Sequence, residues 1–401
     1  MKRLMLRITN RHAARITGGY VGPRIIDCGT HPPTAIVAAS QDGLLQGPMT
    51  PPSAAASLAD SPSASGWGPP YLLYLGDAHD DLAIKTARGL AFWRPQWCLG
   101  QLRGPNCQAW LDLPDLTLAA ARAAGANTMV VGTANAGGVM SAQTVRDIVA
   151  ALDAGFNIAS GLHQRLDAHP DIVTAAARNE RVLFDARRFP HPLPVGNGKP
   201  RAGRRLLTVG TDCSVGKMYT TLALEKEMRG RGIEADFRAT GQTGILIAGG
   251  GVPIDALVAD FIAGGAEWVA PAREGGGWDL IEGQGSLFHP SFAGVSLGLL
   301  HGSQADALVL CHAPPRPHMR GLPHYGVPDL KTCLETNLQL ARLTQPKVIA
   351  VGVALNTSKL APAAATDACK AAEDALGLPC TDPVTHGVSR IVDHLLACFA
   401  S

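Results

Sequence analysis

The stretch RRLLTVGTDCSVGKMYTTLALEKE, residues 204–227, decides how this chain is read. An apolar run (Leu206, Leu207, Val209) meets a glycine loop from Gly210 to Gly216. Lys217 follows, and then helical spacing at Met218, Leu222, Leu224, Glu225 and Met228. Strand, loop, lysine and helix come in the order of the G-x-x-x-x-G-K phosphate-cradling pattern. Glycines let the backbone curl so that several N–H groups point inward. The helix N-terminus adds positive potential, and the lysine neutralises a second phosphoryl group. Gly210, Thr211, Cys213, Ser214, Val215, Gly216, Lys217 and Met218 are therefore expected to hold a phosphorylated ligand. Met218 stands where an NTPase usually carries a Mg²⁺-holding Ser or Thr, and a thioether is a poor ligand for a hard cation. Asp212 within the loop is a catalytic or orienting group, or else a turn cap, since a carboxylate beside phosphates is repulsive.

On either side the chain alternates apolar runs with helical spacing, which argues for parallel, doubly wound sheets. Expected strands before the loop are Tyr71–Gly76, Thr128–Gly132, FNIASG and RVLFD; expected helices are Leu116–Ala124 and Ser141–Ala154. After it, strands are expected at Leu206–Gly210, Ala235–Ala239, Trp278–Glu282, Ala307–Cys311 and Val348–Val353. Helices are expected to start near Lys217, Asp255, Lys331 and Ala361. Pro190–Lys199, rich in proline and glycine, reads as a linker. The fold class is thus α/β, with a Rossmann-like domain over 1–199 and a P-loop-type parallel-sheet domain over 200–401. Thr34–Ser40 is a possible strand, and the Pro/Ser/Ala-rich segment 47–70 reads as a flexible insertion.

Composition narrows the function classes. With 401 residues, 46% hydrophobic, and a net charge of +2, the chain carries no electrostatic footprint for nucleic acid or membrane. Nine cysteines without a C-x-x-C pair suggest reduced thiols. The basic N-terminus is interrupted by Arg and His and does not read as a signal peptide, so a cytoplasmic enzyme is expected. No H-E-x-x-H or paired metal-ligand spacing is present and no serine nucleophile elbow is expected, which disfavours zinc enzymes and serine hydrolases.

Four further stretches could carry chemistry. In WDLIEGQGSLFH, residues 278–289, an apolar strand ends in Glu282, where a parallel sheet opens onto its ligand crevice. Glu282 and His289 are candidate bases, and Gln284 and Ser286 candidate hydrogen-bonding groups. In ATGQTGILIAGGGVPIDALVADF, Gln242 and Thr243 are candidate substrate contacts. The glycines at 241, 244 and 249–251 suggest close backbone approach or a lid, and Asp255 and Asp260 are expected to start or line the following helix, with Asp255 as its cap. CHAPPRPHMRGLPHY, residues 311–325, offers Arg316 and Arg320 as grips for a carboxylate or phosphate. The loop Gly132–Gly138, containing Asn135, is a second possible anion site, and Gly161-Leu-His163 falls at the same sheet edge.

GTDCSVGKMYTTLAL, ATGQTGILIAGGGVPIDALVADFIAGGAEW, DLIEGQGSLFHP and LGLLHGSQADALVLCH resemble the C-terminal domain of the D-glutamate N-acetyltransferase family. YLGDAHDDLAIKTARGL, RPQWCLGQ, VVGTANAGG and AGFNIASGLH resemble its N-terminal partner. The resemblance spans most of the chain outside 47–70. It implies acetyl transfer from acetyl-CoA to the amino group of D-glutamate or a related amino acid. It also implies a C-terminal domain similar to dethiobiotin synthetase. The pyrophosphate and ribose phosphate of coenzyme A need no Mg²⁺, so Met218 ceases to be an obstacle. On this reading the loop holds the carrier's phosphates, Arg316 or Arg320 a substrate carboxylate, and Glu282, His289 or Asp212 serves catalysis, with no metal site. The main rival is an ATP/Mg-dependent ligase or kinase-like enzyme acting on a small carboxylate, with Thr220 or Thr221 supplying a hydroxyl. A non-catalytic nucleotide sensor is a rival of another class. A nicotinamide-dependent epimerase is weaker, since no clear G-x-G-x-x-G is seen. A homo-oligomer is expected by default.

Overall fold

The computed structural model describes residues 66–81, 83–133 and 139–400. The possible strand at Thr34–Ser40, most of the 47–70 segment and Asn135 lie outside these residues. Tyr71–Gly76 is a strand with every residue buried, as an apolar run must be when helices cover both faces of its sheet. It is β1 of a five-stranded sheet with β2 (Cys98–Arg103), β3 (Thr128–Val131), β4 (Asn157–Ser160) and β5 (Leu183–Asp185). The order β2-β1-β3-β4-β5 is parallel throughout, the doubly wound arrangement with its switch point between β1 and β3. The helices between are α1 (Lys85–Trp93), α2 (Leu118–Ala123), α3 (Ala142–Asp153) and α4 (Pro170–Arg178). Thr117 and Ser141 cap α2 and α3 by accepting the N–H of Ala120 and Thr144.

The second sheet holds β6 (Arg204–Gly210), β7 (Ala235–Arg238), β8 (Trp278–Ile281), β9 (Ala307–His312), β12 (Ile349–Leu355) and β13 (Cys380–Thr381). Its order is β13-β12-β9-β6-β8-β7, again all parallel. A short antiparallel hairpin, β10 (His318–Met319) and β11 (Leu322–Gly326), stands apart from it. The helices are α5 (Lys217–Gly230), α6 (Gln242–Ala248), α7 (Ile262–Val269), α8 (Ala293–Ser303), α9 (Leu330–Ala341), α10 (Pro362–Leu376) and α11 (Ser389–Cys398). Residues 188–203 join the two sheets without a regular element. No helix among the described residues is long and apolar enough to cross a membrane.

Several expectations are corrected. Asp255 does not start a helix; it sits in a 3-10 turn, Ile254–Ala256, and α7 begins at Ile262. Within the glycine-rich stretch, residues 242–248 form helix α6, with Gly241 at its N-cap. The string G-V-S-L-G at 294–298 matches a nucleophile elbow in letters, but it lies inside α8 and not on a strand-to-helix turn. Five residues separate Gly210 from Gly216, one more than in G-x-x-x-x-G-K.

The two halves share one core. Alternate residues of β1 face opposite ways. Leu72 and Tyr74 pack with Ile148, Leu152 and Ile172 of α3 and α4. Tyr71, Leu73 and Leu75 join Leu90 of α1, and through it Leu222 of α5 and Ile245, Leu246 and Ile247 of α6. Leu90 and Leu246 are wholly buried, and each contributes roughly 2 kcal/mol by leaving water. Such a contact is a continuous hydrophobic core, so groups from both halves are held in fixed relation.

Candidate active site

Both sheets direct groups from the carboxyl ends of their strands at one cavity of about 650 Å³. The second half supplies the phosphate loop after β6, Gly241–Thr243 after β7, Glu282–Gly285 after β8 and Asn356 after β12. The first half supplies Lys85, His163 after β4 and Arg187 after β5. Loops diverge at this edge of a parallel sheet, which leaves room for a ligand.

The phosphate loop turns through Ser214 at φ 53° and Gly216 at φ 103°; the latter is a left-handed conformation that glycine adopts without strain. Cys213, Ser214, Gly216, Lys217 and Met218 line the cavity, while Thr211 and Val215 are packed inside. Gly210 ends β6 in register with Cys311 of β9, whose carbonyl accepts the N–H of Thr211 at 3.1 Å. Lys217 is buried, and its Nζ donates to the carbonyls of Asp212 and Gly285, both at 2.8 Å. Burial pulls its pKa down. An ammonium has three donors, so one remains for a ligand. Met218 packs into the core shared with α1. Thr220 and Thr221 turn their hydroxyls back onto the helix carbonyls of Gly216 and Lys217, at 3.0 and 2.8 Å, and neither lines the cavity.

Asp212 is fully buried and engaged. Its Oδ1 accepts the N–H of Cys213 at 2.6 Å, and its Oδ2 accepts Arg316 Nη1 and the N–H of Arg320, both at 2.8 Å. Arg316 donates further to the carbonyls of Cys213 and Ser214. The pair clamps the loop containing β10 and β11 onto the outside of the phosphate loop. Arg316 therefore has its carboxylate partner within the protein, whereas Arg320 lines the cavity and donates to Ser214 Oγ. His289 is buried beside Phe292 and does not line the cavity. Its Nδ1 accepts the N–H of Ser291, and its Nε2 faces the carbonyl of Arg320, both at 3.2 Å. Asp212, Cys213 and His289 bring ligand-type atoms within 4.8 Å of one another, but the carboxylate and the imidazole already have these partners.

Glu282 follows β8 and is 5% exposed. Its Oε2 accepts the N–H of both Thr240 and Gly241 at 3.0 Å, and Gln284 Nε2 donates to Thr240 Oγ1 at 3.1 Å. Burial raises its pKa from 4.5 to about 7; the two backbone N–H groups oppose the rise and Asp255 adds to it. A Cβ at Gly244 would collide with this carboxylate, so glycine is required in α6 at the point where the helix passes Glu282. Gln242 and Thr243 line the cavity from the first turn of α6, and Thr243 Oγ1 lies 3.3 Å from Thr86 Oγ1 of α1.

The wall from the first half is basic. Arg187 forms an ion pair with Asp255 and donates Nε to the carbonyl of Gly161 at 3.0 Å. Burial lowers the pKa of His163, with Arg187 adding to the effect. Lys85, at the start of α1, is not legible as a site residue from local pattern. Arg187 and Asn356 both follow apolar strands, so the rule that singles out Glu282 would have found them.

The chain matches two domain families. Residues 104–189 match a domain of unknown function described as the DUF1611_N Rossmann-like domain, and 194–392 the DUF1611_C P-loop domain. A protein of Tritonibacter scottomollicae named D-glutamate N-acetyltransferase is 51% identical over 82% of this chain and 98% of its own length. One of the same name from Pseudoalteromonas sp. is 49% identical over the same shares. A crystal structure of a DUF1611 family protein from Anabaena variabilis superposes with a TM-score of 0.72 at 31% identity, covering 82% of this chain and 98% of that one. With 49–51% identity to these relatives over 82% of its length, the chain belongs to the D-glutamate N-acetyltransferase family and is an acyltransferase.

Proposed function

We propose that the protein transfers the acetyl group of acetyl-CoA to the amino group of D-glutamate or a related amino acid. The observation that carries this reading is Glu282. It is a buried carboxylate with a pKa of about 7, in the same cavity as the phosphate loop and joined to it through the Lys217–Gly285 hydrogen bond. A base of this kind exists in both protonation states near neutrality, as general catalysis requires. The two relatives' names supply the acetyl group and the amino acid.

In this reading Lys217 and the loop N–H groups bind the carrier's phosphates. Arg320 binds the substrate's α-carboxylate. Glu282 accepts one proton from the substrate ammonium, and the freed lone pair forms the C–N bond at the thioester carbonyl. Backbone N–H groups of another glycine loop lining the cavity stabilise the oxyanion. The C–S bond then breaks with its electron pair leaving on sulfur, and the thiolate takes the second amine proton.

Calorimetry with acetyl-CoA and with Mg-ATP, alongside an acetyl-transfer assay on wild type, Lys217→Ala and Glu282→Gln, tests the reading. Tight acetyl-CoA binding lost in Lys217→Ala, with turnover lost in Glu282→Gln, is expected. Binding of Mg-ATP alone would favour a ligase or kinase-like enzyme.

A further inference from the structure

The acetyl-transfer steps above leave the basic wall of the cavity without a role. Lys85, at the first turn of α1, lines the cavity and has no hydrogen-bond or ion-pair partner among the described residues. Its charged form is disfavoured first by burial, then by Arg320 and Arg187. Arg187 has Asp255 as its counter-ion, and Asp255 Oδ1 is buried without a partner. Three cations, Lys85, Arg187 and Arg320, thus converge on one end of the cavity against a single carboxylate already paired. Like charges gathered this way repel, and an incoming anion relieves the repulsion. One carboxylate of an amino acid engages Arg320 in the reading above; Lys85 is left over.

We propose that Lys85, flanked by the Arg187–Asp255 pair, binds the second, side-chain carboxylate of the acceptor, so that the first half of the chain selects dicarboxylic amino acids. The inference rests on the acceptor being an amino acid, as in the preceding section. It assigns the Rossmann-like half a role in specificity, and the P-loop half the carrier and the chemistry. Lysine fits this position because its compact ammonium on a flexible stem follows a mobile carboxylate, whereas Arg187 is fixed by two protein partners.

The test is calorimetric titration of the full chain with D-glutamate and with D-glutamine, in wild type, Lys85→Met and Lys85→Arg, together with steady-state kinetics. Wild type is expected to bind D-glutamate about 10- to 100-fold tighter than D-glutamine, the range for one charge-assisted hydrogen bond. Lys85→Met should lose that factor for D-glutamate and change D-glutamine binding less than about threefold. Lys85→Arg should recover most of it. KM for D-glutamate should rise in Lys85→Met while KM for acetyl-CoA stays in place. The proposal is overturned by a wild type without preference between the two amino acids, or by equal losses for both. A rise confined to acetyl-CoA would also overturn it, because the wall would then serve a carrier phosphate. The preference of wild type is read without any variant, so a poorly folded Lys85→Met leaves the proposal open to refutation. Lys85-dependent binding of D-glutamate without acetyl transfer would defeat the acetyl-transfer reading and leave this one standing.

Discussion

Asp212 and Arg316 are paired at 2.8 Å across 104 residues of sequence, with the carboxylate fully buried and the guanidinium a quarter exposed. The pair is a brace. It fixes the phosphate loop to the segment that carries Arg320, and so sets where Arg320 meets the cavity. Replacing Arg316 by Met leaves a buried charge with only backbone N–H donors. A loss of about 3 kcal/mol in urea denaturation is expected, since breaking one side of a buried pair is costly. KM for acetyl-CoA should rise with it. An Arg316→Met protein as stable as wild type would show that the pair is not a brace.

The pH profile follows from Glu282. If it is the base, kcat/KM should fall about tenfold per pH unit below a pKa near 7 and level off above it. Glu282→Gln should lose roughly 10²- to 10⁴-fold in kcat together with that ascending limb. A variant keeping the limb would transfer the role of base elsewhere.

The same carboxyl group makes a stability prediction of opposite sense. Its pKa in the folded chain lies above the unfolded value of 4.5. The stability it contributes is therefore fully present below about pH 4.5 and is lost as pH rises through about 7. The rise corresponds to about 3 kcal/mol. Glu282→Gln, which cannot ionise, should match wild type at pH 4 and exceed its stability by up to about 3 kcal/mol at pH 8.5. Thermal unfolding across that range measures the difference.

Gly244→Ala separates helix propensity from site geometry. In the interior of a helix the change normally stabilises by about 0.5–1 kcal/mol. Here the new methyl collides with the Glu282 carboxylate. The expected outcome is a net loss of stability and a fall in kcat of about 10²-fold, the cost of moving a reacting group by about 1 Å. An active, stabilised variant would mean that α6 can shift without disturbing Glu282.

Much of the fold is legible because its strands are apolar runs covered on both faces. Tyr71–Gly76 and Arg204–Gly210 carry little polar interruption, and the glycine loop after the latter identifies the helix that follows. Cys98–Arg103 is not legible as a strand. Gly100 and Gln101 break its pattern, and Gln101 is buried because its side chain accepts the N–H of Leu111. Helix α6 reads as loop because Gly241 and Gly244 are breakers in isolation. In the folded chain Gly241 precedes the helix and Gly244 makes room for Glu282.

The sequence by itself determined the two parallel sheets, the phosphate loop with its lysine, and Glu282 at the end of an apolar strand. All of these are local: residue type and spacing along a few neighbours specify them. Only the tertiary structure decided how those groups are used. It paired Asp212 with Arg316, turned both nitrogens of His289 onto backbone, and brought Lys85 and Arg187 to the cavity from more than fifty residues before Glu282. Charge partners and burial depend on chain segments far apart in sequence, and these meet only when α1 and α6 close the shared core.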